Sequence, residues 1–292
     1  MTRKMEHPYY GVGIEWTETL ENDTLRNLDQ ISCFELIPEN FFKNKKPAFL
    51  RSLRDSNVPV LIHGVELSIG SAEPLKQKHL DNIVRVADQV NAINISDHLC
   101  MTEAGGVEVC QLTPLPWTQE ACDAVCKKID QVQSQLPLPF LIENITNRFV
   151  IPDTELSETQ FINQVTRKTG CHLLLDLHNV HTNAFNFGFD PFEWINEIDL
   201  GTVSGIHIAG GIFDHEGMMI DSHSRKAPSR VWDLYRGVCE RIRPACTIVE
   251  WTDDPPPIEA LLDEVAIARR ILHSSQLIRP QKATPSFLGA TA

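Results

Sequence analysis

The sequence predicts an α/β fold, a single (β/α)8 TIM barrel, and three observations predict it. Eight short apolar runs recur along 292 residues. Amphipathic segments of helical period separate many of them, as parallel strands covered on both faces require. The runs also end in polar or charged residues, where a barrel of parallel strands carries its active-site face.

The elements follow in order. The first run, "YGVGIEW" (10–16), holds its glycines inside the strand and ends at Glu15. No glycine-rich phosphate fingerprint follows it, which counts against an open doubly wound sheet. "SCFELIP" (32–38) carries Glu35, with Glu39 just beyond, and "VPVLIHG" (58–64) ends at His63. "NAINISDHL" (91–99) ends at Asp97 and His98, after the amphipathic stretch 76–90. "LPFLIENI" (138–145) follows the stretch 118–136 and ends at Glu143 and Asn144. "CHLLLDLHN" (171–179) follows 157–170 and ends in Asp176, His178 and Asn179. "VSGIHIAGG" (203–211) carries His207, and the loop after it, "DSHS", adds Asp221 and His223. "CTIVEW" (246–251) follows 231–243 and ends at Glu250, before a last helix over 258–274. Residues 1–275 are read as the catalytic barrel and 276–292 as an extended or disordered tail.

Composition narrows the function. The chain is 42% hydrophobic and 22% charged. It has no apolar run near the roughly 18 residues that span a bilayer. The start has no apolar targeting segment, so a cytoplasmic protein is expected. Net charge is −13, which disfavours binding along a nucleic-acid backbone and suits a protein that concentrates cations. Eight cysteines (33, 100, 110, 122, 126, 171, 239, 246) lack zinc-ribbon or CxxC spacing and read as reduced, mostly buried thiols. Cys122 and Cys126, one helical turn apart, read as a helix face.

The strand ends carry the chemistry. A single histidine there is usually structural, but six successive strands end in a carboxylate or imidazole on one rim. Glu143, Asp176, Asp221 and Glu250 converge in one cup with few basic residues to pair them. Unpaired buried carboxylates are costly, and like charges a few ångströms apart oppose joint ionisation. Bound divalent cations remove the difficulty, and mixed imidazole–carboxylate shells suit zinc, iron or manganese.

In order, His63, His98, Glu143, Asp176, Asn179, His207, Asp221-x-His223 and Glu250 resemble the ligands of the endonuclease IV superfamily of barrels, the endonuclease IV and xylose isomerase-like type. That resemblance implies one metal on His63, His98 and Glu143. A second would sit on Glu143, Asp176, His207 and Glu250, and a third on Asp221, His223 and the residue at 179. The zinc endonucleases carry histidine at that last position, and this chain carries Asn179, a weaker ligand.

With Asn179, the motifs "GVGIEW", "LIHG", "SDHL", "IENI", "HNVHTNAFNFGFDP", "GIHIAGG" and "DSHS" resemble the multinuclear non-heme iron-dependent oxidative enzymes. These are the barrels related to the methanobactin-biosynthesis oxidase and the enzyme of 3-thiaglutamate biosynthesis. The likeness runs from about residue 10 to about 275. It implies two or three irons as cofactor and dioxygen as co-substrate. It implies a ribosomally made precursor peptide as substrate, oxidised most often at cysteine, and a small partner protein that recognises the leader. Asp176, His178 and Asn179 are then the candidate catalytic residues. His178 departs from the family's commoner Asp-x-Asn-Asn pattern. It adds a ligand, contacts substrate or points into the wall.

Three other functions share the barrel. A zinc phosphodiesterase acting on abasic DNA shares the ligands but conflicts with the acidic charge and Asn179. A divalent-metal sugar isomerase wants a lysine near the metal, which no strand end supplies. A metal-storage or scaffold protein explains the ligands without chemistry.

Overall fold

A computed structural model of the chain describes residues 8–252 and 254–278. Each of the eight apolar runs forms one strand of a closed, all-parallel barrel. They are β1 (Gly11–Glu15), β2 (Phe34–Leu36), β3 (Val60–Gly64), β4 (Asn94–His98), β5 (Phe140–Glu143), β6 (His172–Asp176), β7 (Val203–Ile208) and β8 (Cys246–Val249). Sequential strands pair, and β8 closes on β1 with Gly11 opposite Cys246 and Ile14 opposite Val249.

Helices cover the outside and bury one apolar stripe each. Helix Gln77–Val90 buries Leu80, Ile83, Val86, Ala87 and Val90, spaced for one helical face. Each of the larger side chains contributes about 1.5–3 kcal/mol of transfer free energy. A charge at Ile83, which has no solvent exposure, would break that packing. Helix Glu158–Thr169 starts in a capping box between Ser157 and Gln160 and stops at Gly170 in the left-handed region. The last helix, Ile258–Ile278, runs past the boundary expected at 275, and residues 279–292 of the expected tail lie outside the described residues.

Alternation along the strands divides the barrel interior into two levels. Leu61, Cys33, Cys246 and Ile248 pack together in the lower level. Leu141 and Leu174 join them against Gly205, where a Cβ would lie 2.7 Å from Leu174 Cδ1, so a larger residue would have to displace that side chain. Two residues further along each strand stand Glu35, His63, Glu143, Asp176, His207 and Glu250, all buried. An apolar plug therefore lies beneath a polar cup.

The structure corrects one expectation of local structure and adds two hairpins. The strand read through residue 179 ends at Asp176, and Leu177–Phe187 is a helix. Asp176 ends the strand because its side chain accepts from Asn179 N and caps that helix. The stretch between β4 and the next helix holds a hairpin, Met101–Ala104 with Val107–Thr113. Its turn, Gly105–Gly106, has both φ values positive. A second small hairpin, Ile212–Phe213 with Met219–Ile220, follows β7. All eight cysteines are free thiols and only Cys110 is exposed. Among the described residues no helix is long and apolar enough to cross a membrane.

Candidate metal centre

Strand register brings the polar cup together. His98 stands opposite Glu143 across β4 and β5, and Asp176 stands opposite His207 across β6 and β7. Three groups of side chains each place their ligand atoms within 4.8 Å of one another. They are His63, His98 and Glu143; Glu143, Asp176, His207 and Glu250; and Glu15, His223 and Glu250. Glu143 belongs to the first two groups and Glu250 to the last two.

In the first group, Glu143 Oε2 lies 3.0 Å from His63 Nε2 and 3.4 Å from His98 Nε2. The Ser96 hydroxyl donates to Ile62 O at 3.1 Å and stands 2.9 Å from His63 Nδ1. With its one proton used, Ser96 accepts from His63 Nδ1–H. His63 Nε2 then faces a carboxylate oxygen, and either a shared cation or a proton on Nε2 must lie between them.

In the second group, His207 Nδ1 lies 3.2 Å from Glu143 Oε1 and 3.0 Å from Glu250 Oε1. Its Nε2 lies 2.9 Å from Glu35 Oε1 without hydrogen-bond alignment. Asp176 is held by Asn144, whose Nδ2 donates to Asp176 O at 2.9 Å and whose Oδ1 accepts from Asp176 N at 3.0 Å. One carboxylate oxygen of Asp176 caps the following helix through Asn179 N at 2.7 Å, and the other, Oδ2, has no partner.

The third group differs from the set carried over by resemblance. Asp221 and His223 do meet, with His223 Nε2 2.6 Å from Asp221 Oδ1. His223 reaches this position with φ +46, a strained backbone for a residue with a side chain. Glu15, passed over as a ligand in the sequence, shares the neighbourhood of His223 and Glu250. The Asn179 amide is engaged: Nδ2 donates to Asn144 O at 3.0 Å and Oδ1 accepts from Thr146 Oγ1. Asn179 also faces the cavity beside Asp221. His178 is buried, with Nε2 3.5 Å from Asp221 Oδ1.

Electrostatics explain why the cup suits cations. Burial pulls the His63 imidazole down, but Glu143 and Glu35 outweigh it and lift it to about 9. Burial pushes Asp176 well above the carboxylate range, and Glu143, Glu250 and Asp221 add to that. Burial likewise raises Glu143, but His207, His63 and His98 overcome it and hold it well below. Burial, with His63 and His207 adding to it, takes His98 down to about 4 against Glu143 and Asp221. Glu143 Oε2, Asp176 Oδ2, Asp221 Oδ1, His223 Nε2 and Glu250 Oε2 are buried atoms with no hydrogen-bond partner. All five are of a type that can ligate metal, and buried groups of this kind are ordinarily satisfied. The donor set fits divalent metal.

A cavity of about 500 Å³ opens above the cup. The hairpin supplies one wall with Thr102, Glu108, Cys110, Gln111 and Leu112. Glu73 fastens the hairpin turn by accepting from Gly105 N and Gly106 N. Lys76 ties its strands through Glu103 at 2.6 Å and Glu108 at 3.2 Å.

Comparison with known proteins agrees with this geometry. Residues 11–273 match the family described as RiPP precursor modification enzyme MbnB/TglH/ChrH. A UPF0276 protein of Caulobacter vibrioides is 36% identical over 240 residues, covering 82% of this chain and 85% of that protein. A UPF0276 protein of Vibrio parahaemolyticus is 36% identical over 283 residues, covering 95% and 96%. Among solved structures, endonuclease IV from Thermus thermophilus matches with a TM-score of 0.57 at 13% identity, over 92% of this chain and 100% of that one. An L-ribulose 3-epimerase matches with a TM-score of 0.58 at 14% identity, over 94% and 99%. At such identity the structural likenesses show the barrel type alone.

Proposed function

Because the chain belongs to the MbnB/TglH/ChrH family of RiPP precursor modification enzymes, we propose that it is an iron- and dioxygen-dependent oxidase. Its substrate is a ribosomally made precursor peptide, and the residue it oxidises is cysteine. The observation that carries this reading is Glu143, whose two carboxylate oxygens face different histidines in adjoining ligand groups at the floor of an open cavity.

His63, His98 and Glu143 would hold one ion, and Glu143, Asp176, His207 and Glu250 a second. Asp221, His223 and Asn179 would hold a third. When bound, the irons would supply the redox chemistry with dioxygen and an anchoring point for a thiolate, the metal-binding form of cysteine. The protein's own groups do the positioning. Ser96 keeps the His63 proton at Nδ1, and Asn144 holds Asp176 while leaving Oδ2 free. His178, behind Asp221, is a positioning residue. The hairpin wall shields the cup from bulk water and shapes the entrance for an extended peptide.

The same reading calls for a small partner protein that grips the leader and places the reaction in the cytoplasm. The test combines metal and product. Protein prepared with iron and without oxygen should hold more than one iron per chain. Together with its partner and a cysteine-containing precursor, it should consume oxygen and change the peptide's mass at cysteine. A colourless zinc protein that cleaves phosphodiesters instead overturns the proposal.

A further inference from the structure

We propose that Thr252 is a positioning residue for the third metal position, its hydroxyl joining His223 to Glu15. It thereby fixes which nitrogen of His223 faces the ions. The inference rests on the three-ion reading above and concerns Thr252 and Glu15, which have no role there.

Thr252 stands two residues beyond Glu250, on the wall of the cavity. Its Oγ1 donates to Glu15 Oε2 at 3.1 Å and lies 3.3 Å from His223 Nδ1. A threonine hydroxyl has one proton and two lone pairs. Once that proton goes to Glu15, the hydroxyl meets His223 only as an acceptor. His223 must then supply Nδ1–H. Neutral imidazole carries one N–H, so Nε2 keeps its lone pair. Nε2 faces Asp221 Oδ1, 2.6 Å away, with Glu250 Oε2 at 3.8 Å, a gap that a bound cation, or a proton in its place, would fill. All three atoms are buried and lack hydrogen-bond partners, as ligand atoms facing a common cation would.

Thr252 also holds the His223 backbone. Its amide donates to His223 O at 3.0 Å. His223 has the strained φ of +46, so the segment needs an outside grip to keep it there. Thr252 supplies that grip at the backbone and orients the ring with its hydroxyl.

The same device occurs at the opposite side of the cup. Ser96 donates to Ile62 O and accepts from His63 Nδ1, leaving Nε2 toward Glu143. Two hydroxyls, one on β4 and one just beyond β8, thus impose the same tautomer on two histidines. Outer partners of this kind commonly change metal affinity about 10–100-fold when removed.

The test uses the full chain, freed of metal and titrated with Co(II) in the absence of peptide. Thr252→Val keeps the shape and removes the hydroxyl, Thr252→Ser keeps the hydroxyl, and Asp221→Ala marks loss of the third position. Wild type should take up three ions. Thr252→Val should bind two normally and the third about 10–100-fold more weakly, while Thr252→Ser restores wild-type affinity. The exchangeable His223 Nδ1–H signal, shifted by Co(II), should exchange with water faster in Thr252→Val, an effect that a purely structural role would not produce. Unchanged third-ion affinity in Thr252→Val overturns the inference, as does equal weakening of all three ions. A wild-type chain that binds only two ions overturns the three-ion reading itself, which separates the two failures.

Discussion

Asn144 and Asp176 hold each other by two hydrogen bonds across neighbouring strands, the amide of one clamping the backbone N–H and C=O of the other. Asn144→Ala leaves the buried Asp176 N–H without its partner, at about 1–3 kcal/mol, while Asp176 O, the carbonyl of a helix N-cap, loses one of two donors. Chemical denaturation should show a loss of roughly 1–3 kcal/mol, with lower occupancy of the metal position proposed to include Asp176. An unchanged denaturation midpoint would show that the clamp contributes nothing.

Glu143→Ala should lower metal content at two positions together, because Glu143 faces both His63 and His207. Elemental analysis of protein loaded with iron reads the result directly. Loss of one ion or none refutes the bridging role.

Asn179→His should keep or gain metal yet slow peptide oxidation by about tenfold or more, since imidazole binds more tightly than an amide. The substitution also removes the donor to Asn144 O. His178→Asn should be milder and leave iron content nearly unchanged. Iron stoichiometry and oxygen uptake with peptide decide the matter. Normal oxidation by Asn179→His together with metal loss in His178→Asn would invert the two roles.

Glu158 gives a pH prediction away from the metals. Burial lifts its carboxyl to about 7 from an ordinary 4.5, against hydrogen bonds from Trp194 and Asn147. A raised acid favours the folded state most when protonated. Its contribution is therefore complete below about 4.5 and is lost as pH rises through about 7. Glu158→Gln cannot ionise. Between these limits wild type should lose roughly 1 kcal/mol or more relative to the variant, once partial exposure is discounted. Parallel denaturation curves at both pH values would exclude this.

The proposed partner protein gives a further test, the described elements being the barrel, its covering helices and two hairpins. The chain alone should leave a full precursor nearly unmodified, and adding the leader-binding partner should restore turnover. Mass spectrometry of the peptide after single and combined incubations checks this. Complete modification without a partner rules it out.

The barrel was legible in the sequence because strand periodicity and helical periodicity alternate along most of the chain. Polar residues such as His63, Glu143 and His207 stood out because they follow apolar residues at strand ends. The region after Asp176 misled because Leu177 continues the apolar–polar alternation of β6, while helix capping by the Asp176 side chain decides the backbone. The hairpin carries a readable signal, two glycines between alternating residues, but it lies outside the strand–helix repeat. Glu15 escaped as a ligand candidate because its neighbours, Glu250 and His223, come from the far end of the chain. Only closure of β8 on β1 brings them together.

The apolar plug formed by Leu61, Leu141, Leu174 and Ile248 makes the barrel a dead-end vessel. Nothing can thread through it from mouth to base. A polypeptide that reaches Glu143 must leave by the opening through which it came. It therefore enters either as a free terminus or as a bend with both arms side by side in the mouth. A residue far from either end, in a segment too stiff to fold back, is out of reach whatever its chemistry.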